Sequence, residues 1–252
     1  MIQGLYNAAS GMIALEAQHT ILANNIANVS TPGFKSYEPV QLGFYTTFSD
    51  KLHRSSFFDA QSAPAGGVKT VENYPDLAVG AMQVTDNPLN AALLGPGYFA
   101  IETAAGERYT RCGTFAVDEQ GYLVTQNGNK VASIGGGGIA VGDGKVNIAS
   151  DGAVTSDGQA AGQIRVVEFE SPARLTRVGD NLYAASDEVA KKMGAAADTT
   201  VVQNRLEMSN VSLPREMSRM MIGLRAYEAN QKVIQGLDGS IGKLIDQVGM
   251  PS

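Results

Sequence analysis

Two stretches at opposite ends of the chain place apolar residues at helical spacing. In the C-terminal stretch, Leu213, Met217, Met220, Leu224, Tyr227, Gln231, Ile234, Asp238, Ile241, Ile245 and Val248 follow alternating gaps of four and three residues. All but Gln231 and Asp238 are apolar or aromatic, which is the seam of a coiled coil. A helix here rises roughly 1.5 Å per residue and is on the order of 50 Å long. One domain of this size does not cover such a length. The helix either packs along its own chain or meets helices of other copies. In the N-terminal stretch Leu5, Ala8, Met12, Leu15, His19, Leu22, Ile26 and Val29 repeat the same gaps, flanked by Ile2, Ala9, Ile13 and Ala17. That face is wider than a bare seam and suits more than one neighbour. Asn24, Asn25 and Asn28 are costly inside a helix unless they bond to neighbours. The pattern stops at Ser30-Thr31-Pro32-Gly33, where Pro32 disfavours helix at Thr31 and Gly33 accepts positive φ.

The middle of the chain has a different period. Residues 36–75 scatter Phe44, Tyr45, Phe48, Phe57 and Phe58 among Ser, Gly and Pro, which predicts an irregular extended arm. Residues 76–205 read as strands: Tyr98-Phe99-Ala100-Ile101, Phe115 to Val117, Tyr122 to Val124, Val146 to Ile148 and Ile164 to Phe169. The pairs Asn127-Gly128, Asp143-Gly144, Asp151-Gly152 and Asp157-Gly158 are hairpin-type turns between them. Residues 186–200 are small and polar and read as a surface loop. Pro214 fits the first turn of the closing helix, where no intrahelical N–H is needed. The expected fold is therefore α+β: an antiparallel β domain, sandwich or open barrel, flanked by long N- and C-terminal helices that pair as a coiled coil. The expected organisation is an N-terminal assembly helix at 1–35, the arm at 36–75, a β-rich outer domain at 76–205 and a C-terminal assembly helix at 206–252.

Charge and composition narrow the function classes. The chain has 252 residues and a net charge of −6. With no Lys/Arg cluster, nucleic acid is not an expected partner. Cys112 is the lone cysteine, and the two histidines, His19 and His53, are far apart in sequence, so neither a disulfide nor a zinc site is expected. No run of 18 apolar residues exists, so no membrane-spanning helix is expected. The N-terminus lacks a basic region followed by an apolar run. The protein is expected to stay in the cytoplasm or to leave by a route that reads another signal. Gly135 to Gly138 is not followed by Lys-Ser/Thr, so it is a turn rather than a phosphate loop. Asp118 and Glu119 are adjacent and would point to opposite faces of a strand. No catalytic residue, cofactor or metal site is expected.

The segment ANNIANVSTPGFKSY, Ala23 to Tyr37, closely resembles the N-terminal signature of the bacterial flagellar rod and hook axial family. Ser209-Asn210-Val211 and Arg225-Ala226-Tyr227-Glu228-Ala229-Asn230 resemble its C-terminal signature. Between them, Asn87-Pro88-Leu89-Asn90-Ala91-Ala92 with Gly95-Pro96-Gly97-Tyr98-Phe99 is similar to an internal stretch, with Asn90 where Asp is usual. Tyr109-Thr110-Arg111, Asp118 to Leu123 and Gly179 to Tyr183 match further on, so the resemblance covers almost the whole chain. It implies a non-catalytic structural subunit of the basal-body rod, proximal or distal, that self-assembles into a helical tube and transmits torque from motor to hook. It also implies export through the flagellar type III apparatus. The implied partners are copies of the chain, other axial proteins and the export apparatus. The implied interface is the helical seams: Leu5, Met12, Leu15, Leu22, Ile26, Asn24, Asn25 and Asn28 with Leu213, Met217, Met220, Leu224, Tyr227, Gln231, Ile234, Ile241 and Val248. The competing reading is an exported adhesive or polysaccharide-binding β module, which leaves both seams unused.

Overall fold

The computed structural model describes residues 2–43, 68–142, 144–190, 193–196 and 198–248. The aromatic residues expected in the arm, with His53 and Asp143, lie outside them. The chain is α+β with antiparallel sheets. Three α-helices occur among the described residues: α1 (Ile2–Ala27), α2 (Asp187–Ala190) and α3 (Leu213–Val248). The fold separates into two compact units, one from residues 1–27, 37–75 and 212–252, the other from 28–36 and 76–211.

The first unit is a helical hairpin with a β-ribbon. Its ribbon pairs β1 (Tyr37–Gly43) antiparallel with β2 (Val68–Pro75), so both ends of the expected arm are strands. The helices α1 and α3 run antiparallel. A Cβ on Gly4 would lie 3.5 Å from Leu237 Cδ1, and one on Gly11 would lie 3.3 Å from Asn230 Nδ2. Asn25 Nδ2 donates to Glu216 Oε2 at 3.2 Å. Steps of seven and fourteen residues along α1 are thus matched by steps of seven and fourteen along α3. Glycine costs about 1 kcal/mol of helix propensity relative to alanine. At Gly4 and Gly11 that cost is offset by the close approach of α3. At Gly223, level with Gln18 in this register, nothing among the described residues lies within 4 Å of a Cβ.

This pairing shifts both expected seams. On α1 the face toward α3 holds Gly4, Gly11 and Asn25 together with the buried Ala8 and Leu22. Ala8, Leu15 and Leu22 belong to the expected seam, whereas Leu5, Met12, His19 and Ile26 each sit one residue past a contact position. On α3 the contacts come from Glu216, Asn230 and Leu237, with Met220 and Ile234 half-buried. Leu213, Met217 and Leu224 are exposed instead. The hydrophobic pattern weights large apolar residues, while the real contact line is chosen by small side chains and a buried polar pair. Ile241, Ile245 and Val248 lie within α3, and their side chains fall outside the described residues.

The second unit is built from antiparallel sheets. Its largest sheet runs β14 (Thr176–Gly179), β15 (Leu182–Ala184), β6 (Gly106–Thr110), β5 (Tyr98–Thr103), β9 (Lys130–Val131), β8 (Leu123–Thr125) and β7 (Phe115–Val117). The strand β13 (Val166–Phe169) pairs with β5 and with β16 (Met193–Ala195). A second sheet orders β10 (Val146–Ile148), β11 (Ala153–Ser156) and β12 (Gln159–Gln163). Two short pairs close the unit: β4 (Ala91–Leu94) with β17 (Thr200–Gln203), and β3 (Met82–Val84) with β18 (Arg205–Glu207).

The start of β5 is buried on both faces, which explains its unbroken apolar run Tyr98 to Ile101. Phe99 and Ile101 join Leu93, Phe115, Leu123 and Ile164 in one core. Tyr98 and Ala100 join Tyr109, Phe169, Tyr183 and Val189 in another. Ring pairs of edge-to-face geometry bind each core, Phe99 to Phe115 at 5.1 Å and Tyr109 to Phe169 at 4.8 Å between centroids. The turn Asp157-Gly158 has both residues at positive φ, 49° and 81°, as a two-residue hairpin between β11 and β12 requires. Residues 186–200 are not a plain surface loop. They hold α2, whose Val189 is buried in the second core, and β16. Small residues masked the core-facing valine in the sequence.

The hairpin geometry makes Gly11→Leu an overpacking substitution. It should lower the stability of the helical unit by about 1–3 kcal/mol, read as an earlier loss of helical circular dichroism in a thermal melt. Gly239→Ala, with open space around it, should leave that melt unchanged or raise it.

Candidate assembly site and its polar anchors

Residues from both ends of the chain meet in a buried ionic centre of the β unit. Lys35 Nζ lies 2.6 Å from Glu207 Oε1 and donates to the Ala78 carbonyl at 2.7 Å. The backbone N–H of Gly80 donates to the same carboxylate oxygen at 3.0 Å. Arg111 Nη1 stands 3.6 Å from Glu207 Oε2, with its guanidinium 4.9 Å from the centre of the Tyr98 ring. All three charged side chains are buried. Burial holds the Lys35 ammonium below the ordinary lysine value of 10.5, opposed by its hydrogen bond and charge interaction with Glu207; the Arg111 charge adds to the lowering. Two cations around one carboxylate leave Arg111 Nε and Nη1 without a hydrogen bond among the described residues.

Backbone geometry explains the neighbouring glycine and asparagine. Gly33 has φ +70°, and a Cβ on it would lie 2.4 Å from the Cys112 nitrogen, so only glycine fits. Its N–H donates to the Glu207 carbonyl at 2.7 Å. Phe34 is fully buried beneath the Arg177 guanidinium, 4.4 Å from ring centre to Cζ. Asn210 accepts from the Ser36 N–H at 2.8 Å and donates to the carbonyls of Asp76 and Ala78. Residues 33–36 are therefore tied to residues 207–210, four residues to four.

A second polar anchor lies in the helical unit. Asn25 is buried, and its side-chain amide treats Tyr37 as a strand neighbour would. Its Nδ2 donates to the Tyr37 carbonyl at 2.9 Å and its Oδ1 accepts from the Tyr37 N–H at 3.1 Å. The same Nδ2 reaches Glu216, whose other oxygen lies 3.5 Å from Arg219 Nη1. Arg219 Nη2 meets Glu38 at 3.3 Å. Of the three asparagines singled out by sequence, Asn25 does this work; Asn24 is exposed, and Asn28 accepts from Thr31 Oγ1 at 3.2 Å.

The remaining seam residues fall on one side of the hairpin. Successive residues turn in opposite senses on two antiparallel helices seen from one end. The position after each contact residue therefore points to the same side on both. On α1 these are Leu5, Met12, His19 and Ile26; on α3 they are Met217, Leu224, Gln231 and Asp238. Met217 is 51% exposed, Leu224 47% and Leu213, one turn before Met217, 39%. Tyr227 is 38% exposed at the margin, Leu15 and Ile26 are half-buried, and Leu22 is 1% exposed inside the hairpin. His19 keeps a buried Nε2 with no hydrogen-bond partner among the described residues. Ile241 and Val248 are outside the described side chains. Sequence reasoning missed Lys35, Arg111, Glu207 and Glu216. The available signal was a lysine set among apolar and small residues directly after a chain break, in a segment otherwise free of charge.

Glu207→Ala should destabilise the β unit by about 3–5 kcal/mol, because it leaves Lys35 and Arg111 buried without a counter-charge. Glu38→Ala, which removes the exposed partner of Arg219, should cost about 1 kcal/mol or less. Urea unfolding of both variants checks the contrast, and equal effects would contradict it.

The geometry coincides with the segments that match known families. Residues 5–35 match the model described as flagella basal body rod protein, 92–156 the flagellar hook protein FlgE/F/G D1 domain, and 202–247 the flagellar basal body rod FlgEFG protein C-terminal. The chain is 32% identical to the flagellar basal-body rod protein FlgG of Bacillus subtilis (strain 168), covering 98% of this chain and 99% of that one. It is 31% identical to the flagellar hook-basal body complex protein FlhO of the same strain, over 99% of both chains. It is 30% identical to the flagellar basal-body rod protein FlgF of Caulobacter vibrioides (strain ATCC 19089 / CIP 103742 / CB 15), again over 99% of both. With Asn25 and Lys35 in the matched N-terminal segment, Glu207 and Glu216 in the matched C-terminal one, and the relatives aligned end to end, the chain belongs to the flagellar basal-body rod protein family.

Proposed function

We propose that the chain is a structural subunit of the bacterial flagellar basal-body rod, acting without catalysis. The observation that carries this reading is the apolar side of the α1–α3 hairpin, with Leu213, Met217 and Leu224 exposed in a row on α3 and Leu5 exposed near the other end of the hairpin on α1. A single chain gains nothing from leaving that row in water, whereas neighbouring copies cover it. An interface of this kind, repeated head to tail without closing, generates a tube or filament. The terminal segments 1–35 and 206–252 contain the assembly helices α1 and α3, 36–75 is read as an arm, and 76–205 as the outer β domain. The heptad-matched contacts of α1 with α3 support their reading as an antiparallel coiled coil, and the paired sheets around two cores support a sandwich. The partners are further copies of the chain and other axial proteins, reached after export through the flagellar apparatus. Assembled in the basal body, the tube passes torque from motor to hook. A polysaccharide-binding module has less support, because it leaves the apolar side without a role.

Leu224→Asp is the direct test. The side chain is exposed, so the substitution should leave both units folded, as read by circular dichroism, and abolish rod formation, as read by electron microscopy of basal bodies and by loss of swimming. Complete rods containing the variant would defeat the proposal. Leu22→Asp differs in kind: it puts a charge inside the hairpin and should unfold the helical unit before assembly is reached.

A further inference from the structure

Two methionines sit in the exposed apolar row of α3, and they are the exposed ones among the described residues. Met217 is 51% exposed and Met221 56%. They lie one helical turn apart, between Leu213 and Leu224, which are 39% and 47% exposed. Met12, Met82, Met193, Met208 and Met220 are half-buried. A thioether is a soft, adaptable packing group, and that suits a surface that must fit neighbours of differing shape. The same sulfur is open to oxidation, which turns an apolar side chain into a polar one.

We infer that Met217 and Met221 form an oxidation-sensitive patch whose conversion to sulfoxide blocks assembly of the unassembled subunit; this rests on the assembly reading given above. The oxidant is a peroxide. The thioether sulfur attacks one peroxide oxygen, an S–O bond forms and the O–O bond breaks. The sulfur loses two electrons, and the proton carried by the transferred oxygen passes to the departing one, which leaves as water, or as an alcohol from an alkyl hydroperoxide. Each sulfoxide then presents a polar S=O where a neighbour's apolar surface must seat. Once neighbours cover the row, both sulfurs are shielded, so the sensitivity belongs to the chain before assembly.

The full unassembled chain is treated with limiting hydrogen peroxide, and oxidised positions are mapped by tandem mass spectrometry. Met217 and Met221 should each gain one oxygen before Met12, Met208 or Met220 does. In cells, Met217→Gln with Met221→Gln, a polar stand-in for the sulfoxide, should lose complete rods while circular dichroism shows both units folded. Met217→Leu with Met221→Leu should keep them. Earlier oxidation of Met12 or Met208, loss of rods in the leucine pair, or normal rods in the glutamine pair while Leu224→Asp has none, overturns the inference and leaves the assembly reading standing. Normal rods in both the glutamine pair and Leu224→Asp overturn the two together.

Discussion

A carboxylate taken out of water needs a cation beside it, and Glu207 finds one 172 residues earlier in the chain. The Lys35–Glu207 pair is the constraint around which the β unit is arranged. Removing either partner strands the other in a medium that solvates charge poorly. Glu207 sits at the end of β18, and Lys35 lies two residues past the turn at Pro32-Gly33. The pair can form only when residues 33–36 lie against residues 207–210, with Gly33 in its left-handed conformation and Asn210 bonded to three backbone groups. Arg111 brings the end of β6 to the same point. A stretch that reads as a turn in sequence is, physically, the closure of the unit.

The helical unit follows the same logic with neutral groups. Asn25 satisfies the backbone of Tyr37 on one side and Glu216 on the other, and that fixes the axial register of α1 against α3. Gly4 and Gly11 then let the helices approach where the register puts them. Both anchors join residues near one terminus to residues near the other, so each unit needs the two ends of the chain. The hairpin consumes part of each apolar seam and turns the rest to one side, and the proposed assembly contact uses this surplus apolar side.

Much of this architecture is legible in the residues. Tyr98 to Ile101 as a strand and Asp157-Gly158 as a hairpin turn rest on local rules that tertiary structure did not override. The two terminal helices are likewise visible as heptads. Their facing positions are not, because a heptad reading ranks Met12 above Gly11 and Leu5 above Gly4, whereas close packing and polar pairing decide contact. Asn25 is conspicuous in a helix for the reason the structure supplies. Lys35, Arg111 and Glu207 look like ordinary surface charges one by one; their partnership depends on strand pairings between residues far apart in sequence, β3 with β18 and β4 with β17. Val189 is hidden for a similar reason, as one apolar residue in a polar stretch has no period to reveal it.

The central claim is that the side of α3 bearing Leu224 meets a neighbouring subunit, while the side bearing Glu216 meets α1 of its own chain. Site-specific photo-crosslinking in assembled basal bodies tests this most directly, with the crosslinking residue placed at position 224 in one strain and at 216 in another. The account predicts a crosslink from 224 to another axial subunit, seen as a species of higher mass, and a crosslink from 216 confined to the same chain. A crosslink from 224 that stays within its own chain, or one from 216 that reaches a neighbour, would contradict it.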